Sequence, residues 1–216
     1  MEKIVQEIYE GVIDGQNILV QQKVQEGLEA GIDPGVLLNQ GMIAAMAEVG
    51  KRFEDGEYYV PEMLIAARAM QAGLALLKPH LKESDVKSAG RVVIGTVKGD
   101  LHDIGKNLVA MMLEGAGFEI EDLGTDVAPQ KFVEAARSNA TNIVAMSALL
   151  TTTMTQMKAT IEAIENAGLR DSVKIMVGGA PITESYAQQI GADGFAVDAS
   201  RAVAVAKSLV LAVSHT

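Results

Sequence analysis

There is no cysteine in this chain. Disulfides, thiolate metal sites and cysteine nucleophiles are therefore excluded, and the composition suits a reducing cytosol, so a cytoplasmic location is expected. Aromatic residues are scarce at 4%, and positive charge is short: 18 Lys and Arg against 28 Asp and Glu leave a formal net charge of −10. Nucleic acid is not expected as a partner, because its phosphates would be repelled by this surface. No apolar run is read as reaching the roughly 18 residues of a membrane span, so no membrane is expected either. The stretch from Met1 to Gly15 is acidic and amphipathic, unlike a signal peptide.

What is present is a 216-residue chain, 49% hydrophobic, enough for one large or two small domains with a proper core. Its 11 methionines suit adaptable core packing, or a pliable contact face. Ile4, Val5, Ile8 and Val12 recur at helical spacing, and Ile18, Leu19, Val24 and Leu28 repeat the pattern. Asp33-Pro34 is a helix start, predicting a third helix that stops near Gly50. Pro61 opens a fourth, expected to end before Pro79. Four such helices predict a small bundle over residues 1–88.

Lys78 to Gly90 reads as a linker, and the rhythm then changes. β-Branched strands at Arg91–Val97, Phe118–Leu123, Ile143–Met146, Val173–Val177 and Gly194–Val197 alternate with helices. That alternation predicts an α/β domain over residues 89–216, with five parallel strands in the flavodoxin-like, Rossmann-like arrangement. Ligands of such sheets sit at the carboxyl ends of the strands. Three chemistry-bearing loops fall there: Gly99-Asp100-Leu101-His102-Asp103-Ile104-Gly105, Ser147 to Thr153, and Gly178-Gly179-Ala180-Pro181.

Several chemistries fail on these residues. A phosphate-binding loop needs four residues between its glycines and then Lys-Ser or Lys-Thr, whereas five residues separate Gly99 from Gly105 and Asn107 follows Lys106. A metal-dependent phosphohydrolase needs more histidines than His80 and His215 supply. A hydrolase using Ser147, His102 and Asp100 lacks the Gly-x-Ser-x-Gly turn.

Asp-x-His-x-x-Gly after the first strand, Ser-x-Leu after the third and Gly-Gly after the fourth together resemble the cobalamin-binding module of methionine synthase and of base-off/His-on mutases. Val49 to Pro61 resembles the segment that caps the corrin in methyltransferases. Across nearly the whole chain, the sequence is similar to the corrinoid proteins of methanol, methylamine, glycine betaine and aryl methyl ether methyltransferase systems. The resemblance implies bound cobalamin, cycling between methylcobalamin and cob(I)alamin, with His102 as lower axial cobalt ligand. It implies that Asp100 orients His102 and that Thr153 extends the relay, standing where methionine synthase has Ser. Protonating that relay would accompany ligand loss and ease demethylation. Gly99, Leu101, Asp103, Ile104 and Gly105 share the His loop. Ser147, Leu149, Thr151, Gly178, Gly179 and Ala199 match positions around the cofactor tail, the glycines letting backbone approach it. Phe53 and Val60 match the residues that cover the upper face, Val60 being Val where the methionine synthase cap has Leu.

The role implied is a methyl carrier without a complete active site of its own. Its partners would be a substrate-specific methyltransferase, a second methyltransferase acting on a folate or thiol coenzyme, and a reductive activating protein. A helical cap joined through a flexible stretch could swing aside for them. The alternatives are a cobalamin sensor or the cobalamin subunit of a carbon-skeleton mutase. Plainer roles stand beside each residue: Asp100 as helix N-cap, the Ser147–Thr153 run as helix start, Gly178-Gly179 as a turn, Phe53 as bundle core.

Overall fold

The computed structural model describes residues 3–81, 88–137 and 140–213, and divides the chain into two units, Met1–Lys87 and Ser88–Thr216. Part of the expected linker, including Ser84 and Asp85, lies outside the described residues.

The first unit is helical. α1 (Lys3–Ile13) buries Val5, Ile8 and Val12, the stripe its spacing predicts. α2 (Asn17–Glu29) buries Val24 as expected, together with Val20 and Gly27, and leaves Ile18 exposed. Of the expected stripe, Leu19 and Leu28 are half-buried, and Ile18 is the member that faces outward. Asp33 caps the next helix as its sequence suggests, its carboxylate accepting from the Val36 N–H at 3.1 Å. That helix runs on through α3 (Pro34–Val36), a π-helical segment (Leu37–Ile43) and α4 (Ala44–Glu54). It does not stop at Gly50, which is buried on the inward face with Val49 and Met46. The stop is Gly56, at φ +75°, whose N–H reaches the Phe53 carbonyl while Glu57 N–H reaches that of Arg52.

α5 (Val60–Leu81) continues two residues beyond Pro79. Proline removes one donor there, but the helix is in its last turn and little remains to be broken. At 22 residues α5 is long and apolar enough, by length and composition, to cross a membrane, which corrects the reading that no such stretch exists. Its Met63, Ala66, Met70, Gly73 and Leu77 are buried within this unit, where it packs on α2 and α4.

The second unit is a parallel sheet in the order β2-β1-β3-β4-β5, with β1 Arg91–Thr96, β2 Glu119–Asp122, β3 Thr141–Ser147, β4 Lys174–Gly178 and β5 Gly194–Ala196. The connecting helices are α6 (Ile104–Gly115), α7 (Pro129–Ala136), α8 (Thr155–Asn166) and α9 (Glu184–Gln189), and α10 (Ala199–Val213) follows β5. Strand side chains alternate between two cores. Val93, Val144 and Ile175 pack with Phe132 of α7 and Met157 and Ile161 of α8. Val92, Ile94 and Ile143 pack on the other face with Leu113 of α6 and Ala202 and Ala206 of α10. This is the five-stranded α/β layout expected from the sequence.

Candidate functional site

Strand order reverses between β1 and β3, the place where a doubly wound sheet opens a crevice at its carboxyl edge. The in-register pair Thr96–Ser147 ends the two strands side by side. The His loop and the Ser147–Thr153 loop therefore start next to each other, although the sequence separates them widely.

Asp100 joins the two loops. It is completely buried, and every lone pair of its carboxylate has a donor nearby. Oδ1 accepts from the His102 backbone N–H at 3.1 Å and faces His102 Nδ1 at 2.8 Å. Oδ2 accepts from the Leu149 N–H at 2.8 Å and from the Thr153 hydroxyl at 2.6 Å. Burial by itself pushes the carboxyl pKa up. The Thr153 hydroxyl, the Leu149 and His102 N–H groups and the His102 ring outweigh it and hold the group well below the usual carboxylate range. An ionised Asp100 can only accept, so the proton between it and His102 belongs on Nδ1, and the lone pair is left on Nε2. Asp100 is not the N-cap of α6: that position is Asp103, whose side chain makes no capping bond.

His102 is anchored from behind, with the Thr96 hydroxyl donating to its carbonyl at 2.9 Å. Its side chain is 51% exposed, and Nε2 has no protein partner among the described residues. Large exposed apolar side chains occur in the same rim loops: Leu101 and Ile104 after β1, Leu149 and Leu150 after β3, Val197 after β5. No group of three or more His, Asp or Glu able to hold a bare metal ion occurs among the described residues. A single imidazole suits a metal whose equatorial positions are already filled by a macrocycle, and the apolar rim suits the macrocycle. The donor set therefore fits cobalamin.

The remaining predicted residues are distributed as follows. Gly99 adopts φ +80°, which explains its identity. A side chain at Gly105 would meet nothing within 4 Å, so that position opens onto free space. Gly178 and Gly179 have a reason internal to the protein. A Cβ on Gly179, at φ +129°, would overlap the Ala148 carbonyl oxygen, and one on Gly178 would lie 2.9 Å from that of Ala196. Ser147 closes β3, Thr151 is exposed in the following loop, and Ala199 begins α10 in a buried setting. Phe53, half-buried near the end of α4, and Val60, exposed at the start of α5, belong to the helical unit.

Two residues escaped the sequence reading. Asp126, after β2, is the one non-glycine residue with positive φ among the described residues, at 52°. It accepts from the Gly99 N–H through Oδ1 at 2.7 Å and donates its own N–H to the Asp100 carbonyl at 2.9 Å. Lys106, one residue after Gly105, is buried and pairs with Asp122 at the end of β2. The available signal was the Gly124-Thr125-Asp126 turn, since Asp tolerates the left-handed region better than most residues.

Two B12 binding domain families match the chain, one over residues 90–205 and the other over residues 4–78. The trimethylamine corrinoid protein 1 of Methanosarcina acetivorans is 43% identical over 97% of this chain and 98% of its own length. The dimethylamine corrinoid protein of Methanosarcina barkeri is 43% identical over 96% of this chain and 98% of its own. Among solved structures, the methanol:cobalamin methyltransferase complex MtaBC of Methanosarcina barkeri superposes with a TM-score of 0.87 at 26% identity, covering 97% of this chain and 80% of that one.

Proposed function

The chain belongs to the family of B12-binding corrinoid proteins, and on that premise we propose that it is a methyl carrier. It binds cobalamin base-off with His102 as lower axial ligand, receives a methyl group from a substrate-specific methyltransferase, and passes it to a second methyltransferase acting on a folate or thiol coenzyme. Cobalamin supplies the cobalt centre on which the methyl group travels. The observation that carries this reading is the fixed imidazole: Nδ1 against buried Asp100 and Nε2 free at an apolar rim.

The chain's own residues do five things. Asp100 holds the His102 tautomer that presents a lone pair outward. Thr153 keeps Asp100 ionised and oriented by donating to Oδ2. Leu101, Ile104 and Leu149 offer apolar surface beside the imidazole, and the loops of Gly105, Ser147, Thr151, Gly178-Gly179 and Ala199 receive the cofactor tail. For Phe53 and Val60 we propose the role that the family resemblance implies, covering the upper face. The protein contributes binding and positioning rather than a complete active site, so transfer needs both methyltransferases, and a reductive activating protein restores oxidised cobalt. The names of the relatives make a methylamine methyltransferase the first donor-side partner to test.

The test is EPR of the cobalt(II) form reconstituted with protein labelled by 15N-histidine. Hyperfine splitting that changes from the 14N to the 15N pattern, and is lost in His102→Ala, is expected. Absence of any polypeptide nitrogen coupling, with an unaltered His102→Ala spectrum, would overturn the ligand assignment. Methyl transfer from a methylamine to a coenzyme across a purified methyltransferase pair, dependent on this chain, tests the carrier role.

A further inference from the structure

The carboxylate of Asp100 can orient His102 only if the backbone that bears it is itself fixed. That backbone lies in a loop opened by Gly99, in left-handed conformation at φ +80° and with no side chain of its own to pack. On one side the loop is tied back to the residue that follows β1, by Asp100 N–H to the Val97 carbonyl at 3.1 Å. On the other side, two ties to the backbone of Gly99 and Asp100 come from one residue. Asp126 takes the Gly99 N–H on Oδ1 at 2.7 Å and gives its own N–H to the Asp100 carbonyl at 2.9 Å. The two bonds grip the peptide before Gly99 and the peptide after Asp100, so they restrain the rotation that would swing the carboxylate away from His102.

Reaching both groups requires Asp126 to hold φ 52°, a conformation an L residue adopts only against a steric cost. The turn is secured beneath it, where Val127 bridges Val97 and the Gly124 carbonyl accepts from the Thr96 N–H at 2.9 Å. A strained non-glycine residue that spends both its backbone donor and its side chain on one neighbouring loop is placed to position that loop.

We infer that Asp126 is a positioning residue for the axial ligand: from the β2–α7 turn it braces Gly99 and Asp100 and so fixes the tautomer and direction of the His102 ring. The inference rests on the reading of His102 as the cobalt ligand, but the brace is a property of the chain before cofactor binds. Three variants separate its parts. Asp126→Asn keeps a side-chain acceptor and tolerates positive φ. Asp126→Gly removes the acceptor while relieving the backbone. Asp126→Ala removes the acceptor and keeps the steric cost.

The first readout is the tautomer ratio of neutral His102 in the full cofactor-free chain, from 15N ring shifts assigned against His80 and His215. In Asp126→Ala and Asp126→Gly the ratio of Nδ1–H to Nε2–H is expected to fall about tenfold, the scale of one net hydrogen bond. Asp126→Asn is expected to restore most of it. A purely structural role would instead track thermal stability, making Gly, which relieves φ, milder than Ala. The second readout is the fraction of cobalt(II) protein retaining His102 hyperfine coupling, expected to fall in the same order. If folded Asp126→Gly and Asp126→Ala keep the wild-type tautomer ratio, the inference is wrong; should Asp126→Ala not fold, Asp126→Gly decides alone. Wild-type protein lacking His102 coupling, together with the tautomer shift in the variants, would sink the cobalt-ligand reading and leave the brace standing.

Discussion

Asp100 and Thr153 are 53 positions apart, and the Thr153 hydroxyl donates to Asp100 Oδ2 at 2.6 Å. The same hydroxyl has the Leu150 carbonyl within 3.0 Å, but its single proton goes preferentially to the charged, closer carboxylate. This bond closes the sheet's switch point: it ties the loop after β1 to the loop after β3 through a buried charge.

Removing that donor has a readable cost. Thr153→Ala should destabilise the cofactor-free protein by about 1–3 kcal/mol, because a buried carboxylate loses a charge-assisted bond. Thr153→Ser keeps the hydroxyl and should lose only the methyl packing, under about 1 kcal/mol. Urea midpoints at constant slope distinguish the two.

The pH dependence of Asp100 follows from its sign. Its folded pKa lies below that of the unfolded chain, about 3.9. The stability it contributes is therefore complete above that value and is lost as pH falls below it toward the folded pKa. The stability gap between wild type and Asp100→Asn should persist at pH 6 and shrink below about pH 4. A gap that closed already near pH 6 would mean the carboxylate is not held down.

Two glycines of the site should behave oppositely. Gly179→Ala forces a Cβ into the Ala148 carbonyl at a positive φ, and should cost about 3 kcal/mol or more, without any cofactor present. Gly105→Ala places its methyl in open space within α6 and should leave the cofactor-free protein as stable or more so, by up to about 1 kcal/mol. Weakened cobalamin binding by this stable variant, measured by titration, would show that the free space is used.

The pair Lys106–Asp122 is asymmetric: the lysine side chain is 2% exposed and the aspartate 40%. Asp122→Ala strands a buried ammonium and should cost about 3 kcal/mol. Lys106→Met leaves a carboxylate that water can reach and should cost less, in the range of about 0–1.5 kcal/mol. Denaturation midpoints of the two variants, compared directly, test the difference.

Much of the site was legible because its signals are local. Asp100 and His102 sit two apart in one loop, and the run from Ser147 to Thr153 follows a β-branched strand. Asp126 was not legible: its partners, Gly99 and Asp100, lie on another strand's loop, and a lone Asp after a Gly announces only a turn. Gly178-Gly179 was legible as a close approach but not for its cause, since Ala148 and Ala196 become its neighbours only when β3, β4 and β5 pair. The end of α4 was misread for a similar reason. Gly50 looks like a stop until burial shows it serving as a small packing surface, while Gly56 makes the cap.

Alternating strand and helix patterns determined the five-stranded parallel sheet, because short, continuously apolar strands such as β1 and β3 need helices on both faces to cover them. The Asp-x-His-x-x-Gly motif, through the family it resembles, singled out His102 and Asp100 as the pair to look for. Only the folded chain decided which carboxylate oxygen faces the ring, which hydroxyl faces the other oxygen, and which distant aspartate holds the loop. Strand order sets those neighbours, and a hydrogen bond formed across the sheet leaves no mark on residues spaced so far apart along the chain.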